Sequence, residues 1–163
     1  MKDLFEFERP RQRFAVVGHP VAHSKSPQIH RAFAAQCGLK IEYEAIQLDR
    51  GGFVQGIRNL QAGGLKGLNV TLPFKEEARA LSDDLSDRAR ISAAVNTILF
   101  ADDGTVFGDT TDGVGLVSDI QDNKGIQLAG RRLLLVGAGG AARGVVQPLL
   151  ETGLVALVIT NRT

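Results

Sequence analysis

The stretch Arg131-Arg132-Leu133-Leu134-Leu135-Val136-Gly137-Ala138-Gly139-Gly140-Ala141-Ala142 passes from an apolar run into a cluster of glycine and alanine. A short continuous apolar run stopped by glycine reads as a strand of the buried type. A helix follows to about residue 151, with Gly153 as its cap, and residues 154–160 form a second apolar strand. The pattern Gly137-x-Gly139-x-x-Ala142 therefore sits directly after a strand and opens a helix. That is the context in which a glycine turn holds the pyrophosphate of a dinucleotide. Gly137 makes the turn, Gly139 lets backbone approach the anion, and Gly140 and Ala142 allow close packing. The first N–H groups of the helix then face the negative charge. A purely structural glycine turn is the competing reading.

Downstream, the second strand ends in Asn161-Arg162-Thr163. A site for NAD usually presents an acid to the ribose hydroxyls at this place. A guanidinium instead matches a phosphate in charge and shape, which favours NADP over NAD. A solvated loop arginine is the alternative.

Upstream, Asn69-Val70-Thr71-Leu72-Pro73-Phe74-Lys75 reads as a strand end turning into a helix. Val70 and Leu72 alternate with Asn69 and Thr71, the period of a half-buried strand. Pro73 suits a first helical turn, where no N–H is needed, and the spacing predicts a helix over 74–81. Lys75 would lie in that turn, near Thr71. A lysine at the positive end of a helix is a candidate acid/base, although Glu76 and Glu77 act against the dipole. An ordinary surface lysine is equally compatible with this heptapeptide.

The remaining chain has the same rhythm. Residues 14–18 are a short apolar run that reads as a buried strand. Ser26-Pro27 reads as a helix cap and first position, and that helix carries Ile29, Phe33 and Cys37 on one apolar face before Gly38. Cys37 is expected in the core and Tyr43 half-buried in a strand over 41–48. A helix over 53–60 and a strand over 65–71 follow. Residues 78–93 read as helix, broken near Leu81-Ser82-Asp83. Asp102-Asp103-Gly104 between apolar runs predicts a hairpin. The polar corner Asp109-Thr110-Thr111-Asp112-Gly113 leads into a helix, and residues 122–130 read as loop. Ser24 and Ser26 at a helix start could seat a small carboxylate or simply cap the helix. Asp112 could likewise cap a helix or bind a hydroxyl. His19, His23 and His30 lack a metal-ligand spacing.

Composition bounds the rest. A chain of 163 residues, 44% apolar and 23% charged, has globular composition. A net charge of +1 gives no field directed at nucleic acid or an anionic membrane. No apolar run approaches the roughly 20 residues that span a bilayer. The single Cys37 and the absence of a signal-like leader read as a cytoplasmic protein.

Taken together, these motifs resemble the shikimate dehydrogenase family from about residue 14 to 163. The resemblance rests on Gly18-His19-Pro20-Val21-Ala22-His23-Ser24-Lys25-Ser26-Pro27, the Asn69–Lys75 stretch, Ala94-Val95-Asn96-Thr97, Gly108-Asp109-Thr110-Thr111-Asp112-Gly113, the glycine turn with Arg143-Gly144, and Thr160-Asn161-Arg162-Thr163. It implies reversible reduction of 3-dehydroshikimate to shikimate with NADPH, in aromatic amino-acid biosynthesis. It implies an α/β fold: an N-terminal three-layer αβα substrate domain, then the start of a Rossmann-type dinucleotide-binding domain. Residues 1–110 would be the substrate-binding and catalytic domain. Residues 111–163 would be a linker helix and the first βαβ of the NADP domain.

The resemblance also implies roles. Lys75 and Asp112 would be the catalytic pair. Ser24, Ser26, Thr71, Lys75, Asn96 and Asp112 would bind substrate. Gly137, Ala138, Gly139, Gly140, Ala141, Asn161, Arg162, Thr163 and Asp87 would bind cofactor. Thr110 and His19 depart from the family, where asparagine is usual at the first position and common at the second. The family's cofactor domain is also longer, so the expectation is a fragment of a longer enzyme, or a chain completed by a partner such as a second copy. A quinate/shikimate enzyme with relaxed cofactor choice and an inactive substrate-binding module are the alternatives.

Overall fold

A computed structural model describes residues 11–162. In chain order the elements are β1 (Gln12–Gly18), α1 (Ser26–Gln36), β2 (Ile41–Gln47), α2 (Phe53–Ala62), β3 (Leu65–Val70), α3 (Lys75–Leu81), β4 (Asp84–Leu85), α4 (Asp87–Ser92), β5 (Thr97–Phe100), β6 (Val106–Asp109), α5 (Asp112–Ser118), a π-helical turn (Asp119–Asn123), β7 (Arg132–Val136), α6 (Gly140–Glu151) and β8 (Ala156–Thr160).

Six strands form one mixed sheet in the order β2-β1-β3-β5-β6-β4. β1 runs parallel to β2 and β3, while β5 is antiparallel to both β3 and β6. The period-2 geometry of β1 divides its side chains between two faces. Ala15 and Val17 enter a core with Phe53 and Ile57 of α2 and with Phe74 and Ala78. Phe14 and Val16 face the other way, toward Ile41 and Tyr43. His30 of α1 stacks on Tyr43 there, with ring centroids 4.3 Å apart. Helices thus cover both faces, giving three layers. Phe53 and Ile57 are fully buried, each contributing about 1.5–3 kcal/mol relative to exposure. The hairpin turn puts Gly104 at φ +91°, a backbone conformation that explains glycine at this position.

β7 and β8 pair in parallel as a second sheet. Val145 and Leu149 of α6 pack with Leu128, Leu133, Leu135 and Leu154 on one face of it. The alternate residues of β7 point away from α6, so Leu134 is 62% exposed and Val136 77%. The buried-strand expectation for β7 is therefore corrected: Leu133 and Leu135 are half-buried against α6, and the alternate residues are exposed.

Several local readings are corrected. α1 is capped by Lys25, with Ser26 as its first residue and Pro27 second, and the cap contributes no side-chain bond. Its Ile29–Phe33–Cys37 face is exposed, because Ala34 is the α1 residue turned fully inward. Tyr43 is buried rather than half-buried. Pro73 precedes α3, whose cap is Phe74 and whose first residue is Lys75. The break after Leu81 contains a short strand, β4, that joins the sheet beside β6. The loop expected from residue 122 begins inside a π-helical turn. The first ten residues of the expected 1–110 substrate domain lie outside the described residues.

Candidate active site

The sheet topology gathers one edge from distant parts of the chain. β1, β3 and β6 end on the same side, and β5 begins there, with Thr97 opposite both Asn69 and Asp109. Open α/β sheets bind ligands beyond the carboxyl ends of such strands. Ser24 and Ser26 follow β1, Thr71 and Lys75 follow β3, Asn96 precedes β5, and Asp112 follows β6.

Lys75 Nζ forms a hydrogen-bonded ion pair with Asp112 Oδ2. The other carboxylate oxygen accepts from Asn96 Nδ2 at 2.6 Å. Asn96 is buried, and its Oδ1 accepts from the Thr111 N–H at 3.0 Å and the Thr97 hydroxyl at 2.9 Å. Asn69 Nδ2 donates to Thr97 Oγ1 at 3.3 Å, and the Tyr43 hydroxyl donates to Asn69 Oδ1 at 2.6 Å. Burial pushes the Tyr43 phenol well above its ordinary range, so it stays a neutral donor. The Lys75 side chain is 12% exposed and that of Asp112 33%. One end of the network is therefore sealed and the other is reachable.

Ser24 and Ser26 are partly buried and bonded to each other, Oγ to Oγ at 3.1 Å, with the Ser26 N–H donating to Ser24 Oγ. Thr71 N–H donates to Val17 O at 2.9 Å, which ties the ends of β3 and β1 together. A β-carbon on Gly18 would come 2.5 Å from Thr71 Cγ2, so glycine is needed for this approach.

The glycine turn stands against the same cluster. A β-carbon on Gly140 would be 3.8 Å from Lys75 Cβ, and one on Gly144 would be 3.8 Å from Asp112 Cβ. Arg143 of α6 pairs with Glu76 of α3 at 3.0 Å. Gly137 has φ +110°, and its N–H donates to Thr160 O at 2.7 Å, which brings Asn161 and Arg162 next to the turn. Gly139 caps α6 without a side-chain bond, and no acid occupies the first turn. Nothing lies within 4 Å of where β-carbons on Gly137 or Gly139 would stand. An open glycine turn before a twelve-residue helix fits an anionic diphosphate.

Asp87 is exposed at the start of α4 and lines a hollow with Gln147, Pro148 and Glu151, in the second half of α6. None of the contacts described above joins it to the glycine turn. Thr163 lies outside the described residues. A hollow of about 350 Å³ on the α1 side is lined by Phe14, Phe33, Leu39 and Tyr43, away from the lysine–aspartate pair. Local sequence patterns did not single out Tyr43, Asn69 or Thr111 as parts of the network. Asn69 and Thr111 lie inside quoted motifs, whereas Tyr43 carried no signal beyond strand alternation.

Fold and site together define an α/β protein that sets a lysine–carboxylate pair beneath a dinucleotide-type glycine turn. The family model "Shikimate dehydrogenase substrate binding domain" matches residues 16–98, and the chain belongs to the shikimate dehydrogenase family. A shikimate dehydrogenase (NADP(+)) from Thioalkalivibrio sulfidiphilus is 53% identical over 151 residues, covering 93% of this chain and 55% of the relative. An Ael1 enzyme from Pseudomonas putida superposes with a TM-score of 0.86 at 43% identity, over 93% of this chain and 56% of that one. A shikimate 5-dehydrogenase from Thermus thermophilus in complex with shikimate gives 0.84 at 40% identity, over 93% of this chain and 57% of that one. The chain spans about half the length of the curated relatives it matches.

Proposed function

We propose that this chain carries the catalytic pair of an NADP-dependent shikimate dehydrogenase, which reversibly reduces 3-dehydroshikimate to shikimate. Residues 1–110 are assigned to substrate binding and catalysis, and residues 111–163 to the opening of the cofactor unit. The protein works in the cytoplasm. The observation that carries this reading is the Lys75–Asp112–Asn96 cluster lying directly under the first turn of α6.

Each residue then has a physical task. Ser24 and Ser26 present hydroxyls to the substrate carboxylate, with Thr71 beside them. The Asn96 amide donates to, and the Asp112 carboxylate accepts from, the ring hydroxyls. The Lys75 ammonium faces the oxygen that gains charge as the carbonyl is reduced, and gives it a proton. Asp112 holds that ammonium in place. Gly137, Ala138, Gly139, Gly140 and Ala141 would hold the cofactor's pyrophosphate, and Asn161 and Arg162 the 2′-phosphate of its adenosine. When bound, the nicotinamide supplies the hydride. The named relatives support the same assignment, since the curated one is an NADP(+) enzyme and the Thermus thermophilus structure holds shikimate.

The test is direct. NADPH formation from shikimate and NADP is followed spectroscopically, and shikimate binding is followed by calorimetry. Turnover supports the assignment. Binding without turnover makes the chain a shikimate-holding module, and failure of both overturns the reading. Tighter binding of NADPH than NADH is expected, and preference for NADH overturns the cofactor choice.

A further inference from the structure

Asp109, the last residue of β6, lies outside the assigned site but is bonded on every side. Its Oδ1 accepts from the Ser86 hydroxyl at 2.5 Å, from Arg88 Nε at 2.7 Å and from the Thr110 N–H at 2.7 Å. Its Oδ2 pairs with Arg88 Nη2. Its carbonyl accepts the Asn96 N–H at 3.0 Å. The side chain is 17% exposed, and Arg88, followed by the Ser86 and Thr110 donors, holds its carboxyl below the usual carboxylate range. A two-pronged guanidinium–carboxylate pair fixes orientation as well as distance.

These bonds reach the site from both directions. The side chain of Asp109 anchors Thr110, two residues before Asp112. Its main chain anchors Asn96, whose amide is bonded to Asp112. Asn96 also accepts the Thr111 N–H. The corner that leads to Asp112 and the amide that bonds its carboxylate are therefore both tied to one residue. That residue is aimed by α4, where Ser86 caps the helix through the Ala89 N–H and Arg88 supplies the fork.

We propose that Arg88 and Asp109 are positioning residues: they clamp the end of β6 so that Asp112 and Asn96 hold Lys75 at the reacting oxygen. This rests on the assignment of Lys75 and Asp112 as the reacting pair. Loosening the clamp lets the Thr110–Thr111–Asp112 corner drift, and a misplacement near 1 Å costs on the order of a hundredfold in rate. Substrate contacts from Ser24, Ser26 and Thr71 arise on other strands and are left intact.

The test compares Arg88→Gln, Arg88→Lys and Asp109→Asn with the parent chain by two readouts. The first is exchange with water of the Asn96 side-chain amide, seen by NMR, which needs no activity. Arg88→Gln and Asp109→Asn are expected to speed it by about tenfold or more, as the bond to Asp112 loosens. Backbone amides of β1 and β3 should keep their protection, and Arg88→Lys should recover part of the loss. Unchanged Asn96 exchange in both variants overturns the proposal, and so does a uniform loss of protection across the sheet. The second readout is shikimate oxidation. A fall in kcat of about ten- to a hundredfold is expected, with a smaller rise in KM because Asn96 and Asp112 also meet the ring hydroxyls. A rise in KM alone overturns the proposal. If the parent chain neither binds nor oxidises shikimate, the functional assignment fails, and the exchange measurement still decides the clamp.

Discussion

The carbonyl oxygen of Gly144 lies against Gly113 so closely that a β-carbon on Gly113 would overlap it. Pro148 lies four residues after Gly144 in α6 and has no N–H to donate to that carbonyl. The freed carbonyl faces α5, and only a glycine on α5 lets the two helices meet there. This contact joins the end of the six-stranded sheet to the glycine-turn unit.

Gly113→Ala is therefore expected to destabilise the chain. The added methyl would overlap Gly144 O, approach Pro148 Cγ, and stand 3.1 Å from Val145 Cα, so backbone must shift. Overpacking of this kind costs about 1–3 kcal/mol. Urea unfolding of the variant measures it, and an unchanged midpoint would show that α5 and α6 separate without penalty.

Replacing Lys75 tests the chemistry. Lys75→Met keeps an unbranched side chain but removes the ammonium that pairs with Asp112. Turnover of shikimate should fall by about 10²–10⁴-fold, the usual worth of a positioned proton donor. Circular dichroism should be unchanged, because Asp112 keeps its bond to Asn96 and is partly solvated. Activity within about tenfold of the parent would remove Lys75 from the mechanism.

Tyr43→Phe tests the sealed end of the network. The hydroxyl is lost from a side chain that is 4% exposed, leaving Asn69 Oδ1 without its 2.6 Å donor. Asn69 is only half-buried, so the loss is that of one hydrogen bond, about 0.5–1.5 kcal/mol. The loss should appear in the unfolding midpoint, and a variant as stable as the parent would mean that another donor reaches Asn69.

The ion pair of Asp109 has a defined pH signature. Its carboxyl is held below the unfolded value, first by the Arg88 hydrogen bonds. The stabilisation is therefore complete above the unfolded value, near pH 4, and fades as pH falls through the folded one. Parent and Asp109→Asn should differ most in melting temperature at neutral pH and converge in acid. A gap that stays constant from pH 7 to about pH 2 would contradict the shift.

Much of the local structure was legible because it depends on near neighbours. Phe53 and Ile57 keep helical spacing and both reach the core, and Asp103-Gly104 makes the hairpin turn. The Ile29–Phe33–Cys37 stripe misled, since period alone cannot say whether another layer covers a helix face. Arg88 gave no signal, because its partner Asp109 lies 21 residues away on another element.

The sequence alone determined the order of strands and helices apart from β4 and the π-helical turn, the glycine turn ahead of α6, and the family to which the motifs point. These follow from backbone preference and apolar period, which act over a few residues. Tertiary structure alone decided that Lys75 and Asp112, 37 residues apart, share a bond, and that α6 lies over them. Their meeting is set by lateral strand order, β3 beside β5 beside β6, and strand neighbours are chosen by the packing of the whole sheet rather than by any local run of residues.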